Sequence, residues 1–309
     1  MIARSLLSGL FRYPGAFWKV WRDLRTAWLM IADAIGNRTR RRRIVSEDED
    51  APVISLTSYG KRIETAYFTI ESLARGKVLP SRLILWIGDN ESENIPSSLM
   101  RLQKRGLEII RTKDYRSHKK YYPFAISAKS HQTALVTVDD DTIYPITLLQ
   151  TLIRFHEAAP DYIIANRARR IILSKGAIAP YESWPAASPH IVSSANFAVG
   201  VGGVLYPPAV VDGLREAGTE FLAVAPRADD IWLHKQALTL GSRVIFTGEY
   251  AEDDFLGIRG IGRQTSLWSL NVVEGGNDAQ IAATYGSADS RALEADVAQS
   301  REDIWTVGR

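Results

Sequence analysis

Three consecutive aspartates, Asp139, Asp140 and Asp141, end the short apolar run of residues 134–138. Three carboxylates leaving a buried strand repel one another and are costly to desolvate unless a cation neutralises them. Carboxylate oxygens are ligands that suit Mg²⁺ or Mn²⁺, and such a cation can hold a diphosphate and offset its developing charge. Alternation along a strand places Asp139 and Asp141 on one side and Asp140 on the other. An acidic turn, or an N-cap for the helix-like segment 145–157, is the structural alternative.

A second acidic pair, Asp229 and Asp230, precedes the amphipathic segment Ile231–Leu240. A carboxylate that faces a hydroxyl group can accept its proton as a general base. Aspartate at this position also caps helices, so both interpretations stay open. We expect Asp230 to be the base and Asp229 to support it.

Short apolar runs alternate with helix-like segments from Pro52 onward, which predicts an α/β fold with a mostly parallel, Rossmann-like central sheet and flanking helices. Ligands of such sheets bind at the carboxyl ends of the strands. The predicted strands are 52–60, 81–89, 107–115 and 134–141, and the predicted helices between them are 63–76, 97–106 and 124–132. Their ends bring one set of polar residues to a common edge: Thr57, Ser58, Tyr59, Asp89, Asp114 and the three aspartates.

An aromatic residue and a glycine-rich segment follow the aspartates. The face of Trp184 suits a sugar ring, although buried tryptophan more often belongs to a core. Gly200, Gly202 and Gly203 permit close backbone approach. They do not form a dinucleotide fingerprint, because the third spaced glycine is missing and Pro207 and Pro208 follow.

Residues 1–43 hold ten Lys or Arg and two Asp, a balance of +8 in a chain whose total is +3, so the rest carries −5. The basic character therefore belongs to an arm and not to the body, which argues against nucleic acid as a partner. Trp18, Trp21 and Trp28 alternate with Lys and Arg, and no apolar run reaches the roughly 20 residues that a bilayer span needs. We expect an amphipathic helical arm on an anionic membrane surface, or packed on the body or a protein partner.

The predicted boundaries are the arm at 1–43, a linker at 44–51, the catalytic body at 52–285 and a helical tail at 286–309. Within the body, the polar segment 253–278 is expected to fold over a bound donor as a lid. The chain has no cysteine, which excludes disulfides, thiolate catalysis and a cysteine-ligated zinc site. No secretory signal is evident, so the expected location is cytoplasmic, peripheral to the inner face of the cell membrane.

Several strings, in this order, resemble the bacterial GT-A fold glycosyltransferases over about residues 52–245: VISLTSYGKRI, DYRSHKKYYP, VTVDDDTIYP, GVGGVLYPP and ADDIWL. The resemblance implies that Thr57, Tyr59, Asp89 and Asp114 border the nucleotide, with Asp139 and Asp140 also on the donor side. It further implies that Asp141, with Asp139, holds the metal ion, that Lys119 or Lys120 approaches the diphosphate, and that Gly202 and Gly203 lie by the sugar. The acidic pair would supply the general base.

The expected function is therefore metal-dependent, inverting transfer of a hexosyl group from a nucleoside-diphosphate sugar. The expected acceptor is a glycan or a lipid-linked glycan in cell-envelope polysaccharide synthesis. A noncatalytic membrane-associated sugar-nucleotide binder is an alternative. An aspartyl-phosphate phosphatase fits less well, because Ile143 stands where its motif expects Thr or Val.

Overall fold

The computed structural model describes residues 14–258 and 276–299. The predictions for residues 1–13, for most of the lid and for the end of the tail lie outside the described residues. The described helices are α1 Pro14–Thr39, α2 Ala66–Ala74, α3 Ser97–Gln103, α4 Tyr122–Ala125, α5 Leu148–Ala158, α6 Pro208–Glu216, α7 Phe221–Val224, α8 Asp229–Thr239, α9 Gly276–Thr284 and α10 Ser287–Gln299.

Eight of the described strands form one central sheet in the order β10-β13-β6-β12-β4-β1-β2-β3. The strands are β1 Val53–Ser58, β2 Leu83–Gly88, β3 Leu107–Thr112, β4 Leu135–Thr137, β5 Thr142–Ile143, β6 Ile163–Ala165, β7 Ala168–Arg170, β8 Leu173–Ser174, β9 Ala177–Ile178, β10 Val192–Ser193, β11 Asn196–Ala198, β12 Val204–Tyr206, β13 Val244–Phe246 and β14 Leu256–Gly257.

The central sheet is mostly parallel. Strands β4, β1, β2 and β3 pair in parallel, as do β6 and β13, whereas β12 runs antiparallel between β4 and β6, and β10 runs antiparallel to β13. Six of the eight strands therefore point the same way. The predicted α/β class with flanking helices is confirmed.

Strand β2 shows why its sequence is apolar without interruption. Leu83, Leu85 and Ile87 belong to the core on one face of the sheet, and Ile84 and Trp86 belong to the core on the other. A parallel sheet covered by helices on both faces needs apolar residues at every position of a central strand. The strand pairs with β1 in register, with Leu56 opposite Leu85, so the two strands end together at the same edge.

Helix α1 is fixed to the body by buried polar contacts. The Asp33 carboxylate is fully buried and accepts two hydrogen bonds from Arg75, at 2.9 and 3.1 Å. Glu71, on α2, is also fully buried; it accepts hydrogen bonds from Asn37 of α1 at 3.2 Å and from Arg105. These contacts set which face of α1 meets the protein.

The predicted linker has neither helix nor strand between residues 44 and 51. It begins with two buried side chains, Ile44 and Val45, and the Ile44 N–H donates to the carbonyl of Arg105 at 2.9 Å. The chain between α1 and β1 is therefore anchored at its start. At the other end, α10 is held by an ion pair between Lys235 and Asp289 at 2.5 Å.

We predict that Glu71→Ala lowers the free energy of unfolding by about 3 to 5 kcal/mol, because the buried Arg105 guanidinium loses its carboxylate partner. Denaturant unfolding at neutral pH measures the change. Glu108→Ala is the matched control: its ion pair with Arg82 is exposed, so we expect a loss below about 1 kcal/mol. Equal losses in the two variants would contradict the role of the buried pair.

Candidate active site

The three aspartates lie in a turn at the carboxyl edge of the sheet. Strand β4 ends at Thr137, and the turn leads into β5 at Thr142. The Ser58 hydroxyl, at the end of β1, donates to Asp140 at 2.5 Å. Asp140 is only 4% exposed, so its carboxylate faces inward against β1. Neither Asp140 nor its neighbours cap the following helix, since the residue before α5 is Thr147 and it makes no side-chain cap.

Arg62 neutralises two of the aspartates from within the protein. It lies in the short 3₁₀ helix Gly60–Glu64 that follows β1. Its guanidinium donates to Asp140 through Nε at 3.0 Å and forms an ion pair with Asp141 at 2.9 Å. Burial acts to lower the pKa of Arg62, but the hydrogen bond and charge of Asp140 raise it above its usual value, so the guanidinium stays charged.

Asp139 has a different cation. Lys120 Nζ lies 2.8 Å from Asp139 and 3.0 Å from Asp229, at the start of α8. The Lys120 side chain is 8% exposed; burial acts to lower its pKa, but the charges of Asp139 and Asp229 raise it well above its usual value. One ammonium group therefore joins the two acidic clusters that the sequence showed as separate motifs. Strand alternation predicted that Asp139 and Asp141 share one side, but it is Asp140 and Asp141 that share a partner, Arg62. Alternation does not apply here because β4 has already ended.

His118 holds the turn that carries Lys120. Its Nδ1 accepts a hydrogen bond from the Tyr121 hydroxyl at 2.9 Å, and its Nε2 donates to the Ala225 carbonyl at 2.7 Å. The ring stacks on Phe221 with 4.1 Å between centroids. Burial lowers the pKa of His118 to about 4, so the imidazole is neutral at physiological pH. A neutral ring with both nitrogens engaged fixes the backbone beside Lys120.

Asp230 combines a backbone hydrogen bond with a raised pKa. Its Oδ2 accepts the backbone N–H of Gly200 at 3.1 Å. Burial and the neighbouring charge of Asp229 raise the pKa of Asp230 to about 7, with Lys120 acting in the opposite direction. General bases are most effective when their pKa lies near the working pH.

Neither aspartate of the acidic pair is the N-cap of α8. The N-cap of α8 is Ala228, and no side chain caps the helix. Both aspartates lie in the first turn, where the helix dipole favours negative charge. This position is compatible with either a supporting or a chemical role for their carboxylates.

The predicted nucleotide-side residues lie on the same sheet edge. Thr57 donates to the Trp86 carbonyl at 3.0 Å, Asp89 is exposed, and the Arg62 guanidinium lies 5.5 Å from the Tyr59 ring. Asp114 forms an ion pair with the buried Lys119. Burial acts to raise the pKa of Asp114, but the hydrogen bonds from Lys119 and the Arg116 N–H lower it.

Both lysines expected near a diphosphate are thus already paired with carboxylates of the chain. Lys119 is held by Asp114, and Lys120 by Asp139 and Asp229. Each is nearly buried. In this arrangement their charges set the geometry of the surrounding carboxylates.

The structure corrects the interpretation of Trp184 as a sugar platform. Its side chain is 3% exposed, its Nε1 donates to the Ala179 carbonyl at 2.8 Å, and its ring packs against Tyr181 and Phe197 at 5.0 and 5.2 Å between centroids. No face of the indole is open to a sugar, because the ring completes the core beside the small strands β7 and β11.

The glycines have backbone reasons for their positions. Gly203 has φ +78°, which favours glycine. A Cβ on Gly202 would lie 2.8 Å from the Arg167 backbone nitrogen, and a Cβ on Gly200 would lie 2.9 Å from Asp230 Oδ1. Glycine at position 202 therefore leaves room for the Arg167 backbone, and glycine at position 200 lets the chain lie close to Asp230. Proximity of Gly202 and Gly203 to a sugar stays a prediction.

The two carboxylates predicted to hold a divalent cation, Asp139 and Asp141, are partly exposed. Their side chains keep 29% and 38% exposure, and burial together with the charges of Asp139 and Asp140 raises the pKa of Asp141, with Arg62 opposing. Among residues 14–258 and 276–299 no cluster of three or more acidic, histidine or cysteine side chains is arranged to hold a metal. Mg²⁺ commonly takes only one or two carboxylates, with water and substrate phosphates as the other ligands.

Besides the Lys120 bridge, sequence reasoning missed two further contacts of the site. Arg62 lies within the string VISLTSYGKRI, but nothing in its spacing predicts that it pairs with a turn far along the chain. The Gly200 N–H that binds Asp230 was also unpredicted, although the glycine-rich segment signalled a close backbone approach.

Comparisons with known proteins concern the fold. No protein-family model and no curated protein matches the sequence. Similar solved structures include TarS residues 1–349 from S. aureus, at 11% identity and TM-score 0.44 over 65% of this chain; the chain spans 59% of that structure. The mannosyltransferase PcManGT from Pyrobaculum calidifontis, in complex with GDP-Man and Mn²⁺, has 11% identity and TM-score 0.47 over 91% of this chain and 85% of that one. An inositol-1-phosphate CTP transferase from T. maritima has 8% identity and TM-score 0.41 over 64% and 85%.

We predict that Lys120→Met destabilises the protein by about 3 kcal/mol, because Asp139 and Asp229 lose their shared counter-charge. Lys119→Met is the control, at the neighbouring position. We expect it to cost only about 1 kcal/mol, since the Asp114 side chain is 35% exposed and keeps its hydrogen bonds from Asn90 and the Arg116 N–H. Thermal and denaturant unfolding measure both, and a smaller effect at Lys120 would contradict its bridging role.

Proposed function

We propose that this protein is a metal-dependent glycosyltransferase that moves a hexosyl group from a nucleoside-diphosphate sugar to a hydroxyl of a glycan or lipid-linked acceptor. The observation that carries the proposal is the Lys120 bridge between Asp139 and Asp229. It brings Asp139, a proposed ligand of a metal–diphosphate complex, next to Asp229, whose chain neighbour Asp230 is the proposed base. The motif resemblance over about residues 52–245 supports the same reaction.

The donor is proposed to bind along the carboxyl edge of the sheet. Thr57, Tyr59, Asp89 and Asp114 lie at the ends of β1, β2 and β3, and are proposed to border the nucleotide. Asp139 and Asp141 would hold Mn²⁺ or Mg²⁺, which would supply positive charge to the diphosphate as it leaves. Asp140 already bonds Ser58 and Arg62, so we propose that it supports the donor side by fixing the turn.

The transfer step needs one base. In the proposed reaction, the acceptor oxygen attacks the anomeric carbon and forms a C–O bond while the bond between that carbon and the diphosphate oxygen breaks. Asp230 takes the proton of the acceptor hydroxyl, and the nucleoside diphosphate leaves with the bonding electron pair. A single displacement of this kind inverts the anomeric configuration. Asp229 is proposed to support the base through its influence on the pKa of Asp230.

The proposed biological setting is the cytoplasmic face of the cell membrane. Cell-envelope polysaccharide synthesis at the cytoplasmic face of the membrane accords with the basic arm and its exposed tryptophans. Nucleic acid is not a proposed partner, because the basic residues are concentrated in the arm.

We predict that one of UDP, GDP, CDP and dTDP raises the melting temperature of the protein in the presence of Mn²⁺, and that Asp141→Ala removes most of this shift. Asp141 is the more exposed of the two proposed metal ligands. At a concentration of about 100 times Kd, binding contributes about 2.7 kcal/mol of stability, which a thermal-shift titration detects. Asp161→Ala, an exposed aspartate outside the sheet edge, is the matched control and should keep the shift. If no nucleotide gives a metal-dependent shift, the donor site is wrong.

We predict that kcat/KM for donor turnover rises with pH and is half-maximal near pH 7, because the base must be unprotonated and the pKa of Asp230 is raised to about 7. Release of nucleoside diphosphate, with water as acceptor, provides the assay. Asp230→Asn should lower kcat by about 10² to 10⁴ and leave nucleotide-induced stabilisation unchanged.

Turnover by the wild type separates the proposal from a noncatalytic binder, which would bind the nucleotide-sugar and release no nucleoside diphosphate. The two variants then test the acidic pair. If Asp229→Asn and Asp230→Asn both keep wild-type turnover and nucleotide binding, the acidic pair has no part in the chemistry. The inverting mechanism would then be wrong, even with the donor site intact.

A further inference from the structure

Helix α1 presents a continuous apolar stripe to solvent. Its large apolar residues recur at intervals of three or four along one side of the helix. The stripe consists of Trp18, Trp21, Leu24, Trp28, Ile31 and Ile35, with side chains 60%, 48%, 65%, 66%, 61% and 57% exposed. No other helix among the described residues carries a comparable run of exposed large apolar side chains.

The most deeply buried side chains on the opposite face of α1, which meets the protein, are polar. Thr26, Asp33 and Asn37 are 3%, 0% and 1% exposed. Asp33 is held by Arg75 and Asn37 by Glu71. Rotating the helix to bury the apolar stripe would expose or unpair these groups, so the outward orientation of the stripe is fixed by ion pairs. An ordinary surface helix has the reverse arrangement.

Positive charge accompanies the stripe. Lys19 is exposed near its start, and Arg38, Arg41, Arg42 and Arg43 are exposed beyond its end. The acidic residues that follow lie elsewhere: Glu47, Asp48 and Glu49 line a groove with Phe124 and His131. Apolar side chains with tryptophan, flanked by Lys and Arg, are the combination that binds at the headgroup level of anionic bilayers.

Helix α1 lies close to the candidate active site through the face opposite the stripe. Leu29 and Met30 of α1 pack against Ile143 and Ile258. Ile143 follows Asp141 by two residues, and the Ile258 N–H donates to the Asp141 carbonyl at 2.7 Å. Helix α1 therefore packs directly behind the turn that carries the three aspartates.

We propose that the outward face of α1 docks on an anionic membrane surface, with the helix axis in the plane of the bilayer. From Trp18 to Ile35 the stripe is about 25 Å long at 1.5 Å per residue. No helix among the described residues is long and apolar enough to cross a membrane. Docking by this face holds the aspartate turn near the headgroups, which, resting on the proposed function, selects a membrane-borne, lipid-linked acceptor.

Co-sedimentation of the full chain with vesicles tests the docking. We expect binding to vesicles of equal parts phosphatidylcholine and phosphatidylglycerol, weaker binding to phosphatidylcholine alone, and a decrease with added salt. The triple variant Leu24→Ser/Trp28→Ser/Ile31→Ser should lose at least about tenfold in partition coefficient, since three exposed apolar side chains leave the interface.

The control is the triple variant Ile126→Ser/Leu222→Ser/Leu240→Ser, which changes exposed apolar residues outside α1 and should bind vesicles like the wild type. Equal partitioning of the two triple variants, or no binding of the wild type to anionic vesicles, overturns the proposal. So does a wild-type dimer in solution that the α1 variant converts to a monomer, if neither binds vesicles. The nucleotide thermal shift, measured without vesicles, should be unchanged in both variants; its loss would point to the donor site or to folding and not to docking.

Discussion

The Lys120 ammonium between Asp139 and Asp229 is the interaction on which the candidate site depends. Burying a lysine is unfavourable unless carboxylates compensate it, and here each carboxylate comes from a different part of the chain. Satisfying one buried charge therefore requires the end of β4 and the start of α8 to meet. The lysine itself is fixed by its neighbour His118, which is neutral, stacked and hydrogen-bonded through both nitrogens. These contacts together determine the distance between the proposed metal ligands and the proposed base.

Arg62 provides the counter-charge for the other two aspartates, Asp140 and Asp141. Three adjacent carboxylates at a strand end need counter-charge, and an external cation is one way to provide it. This chain provides a guanidinium from the turn after β1, bonded to Asp140 and paired with Asp141. The turn is therefore electrostatically compensated before any ligand binds. A metal ion at Asp139 and Asp141 would compete with Lys120 and Arg62 for the same oxygens, so its binding should depend on the additional negative charge that a diphosphate brings.

The sequence was informative where local pattern and burial agree. The run LILWIG predicted a strand buried on both faces, and β2 is that strand, because each of its residues has a core to enter. The common edge of strand ends followed from parallel pairing. Contacts over long sequence separation were different: the antiparallel insertion of β12, the Arg62–Asp140 pair and the buried position of Trp184 depend on the fold of distant segments. The helix predicted over residues 124–132 is wrong beyond Ala125, since His131 instead turns back to bond Asp212 at 2.7 Å.

The orientation of α1 illustrates the same limit and its physical cause. Amphipathic periodicity shows that a helix has an apolar face and a polar face, but it does not show which of them meets the protein. For α1 the answer lies in Asp33, whose carboxylate binds the Arg75 guanidinium at two points, and in Glu71, which meets Asn37. Separating a buried, bidentate carboxylate–guanidinium pair is unfavourable. In the proposed docked state the membrane covers the apolar side chains, so the pair is kept without leaving that apolar surface in water. Buried polar contacts therefore hold one face of α1 on the body, and the tryptophans of the other face are exposed, as the proposed docking requires.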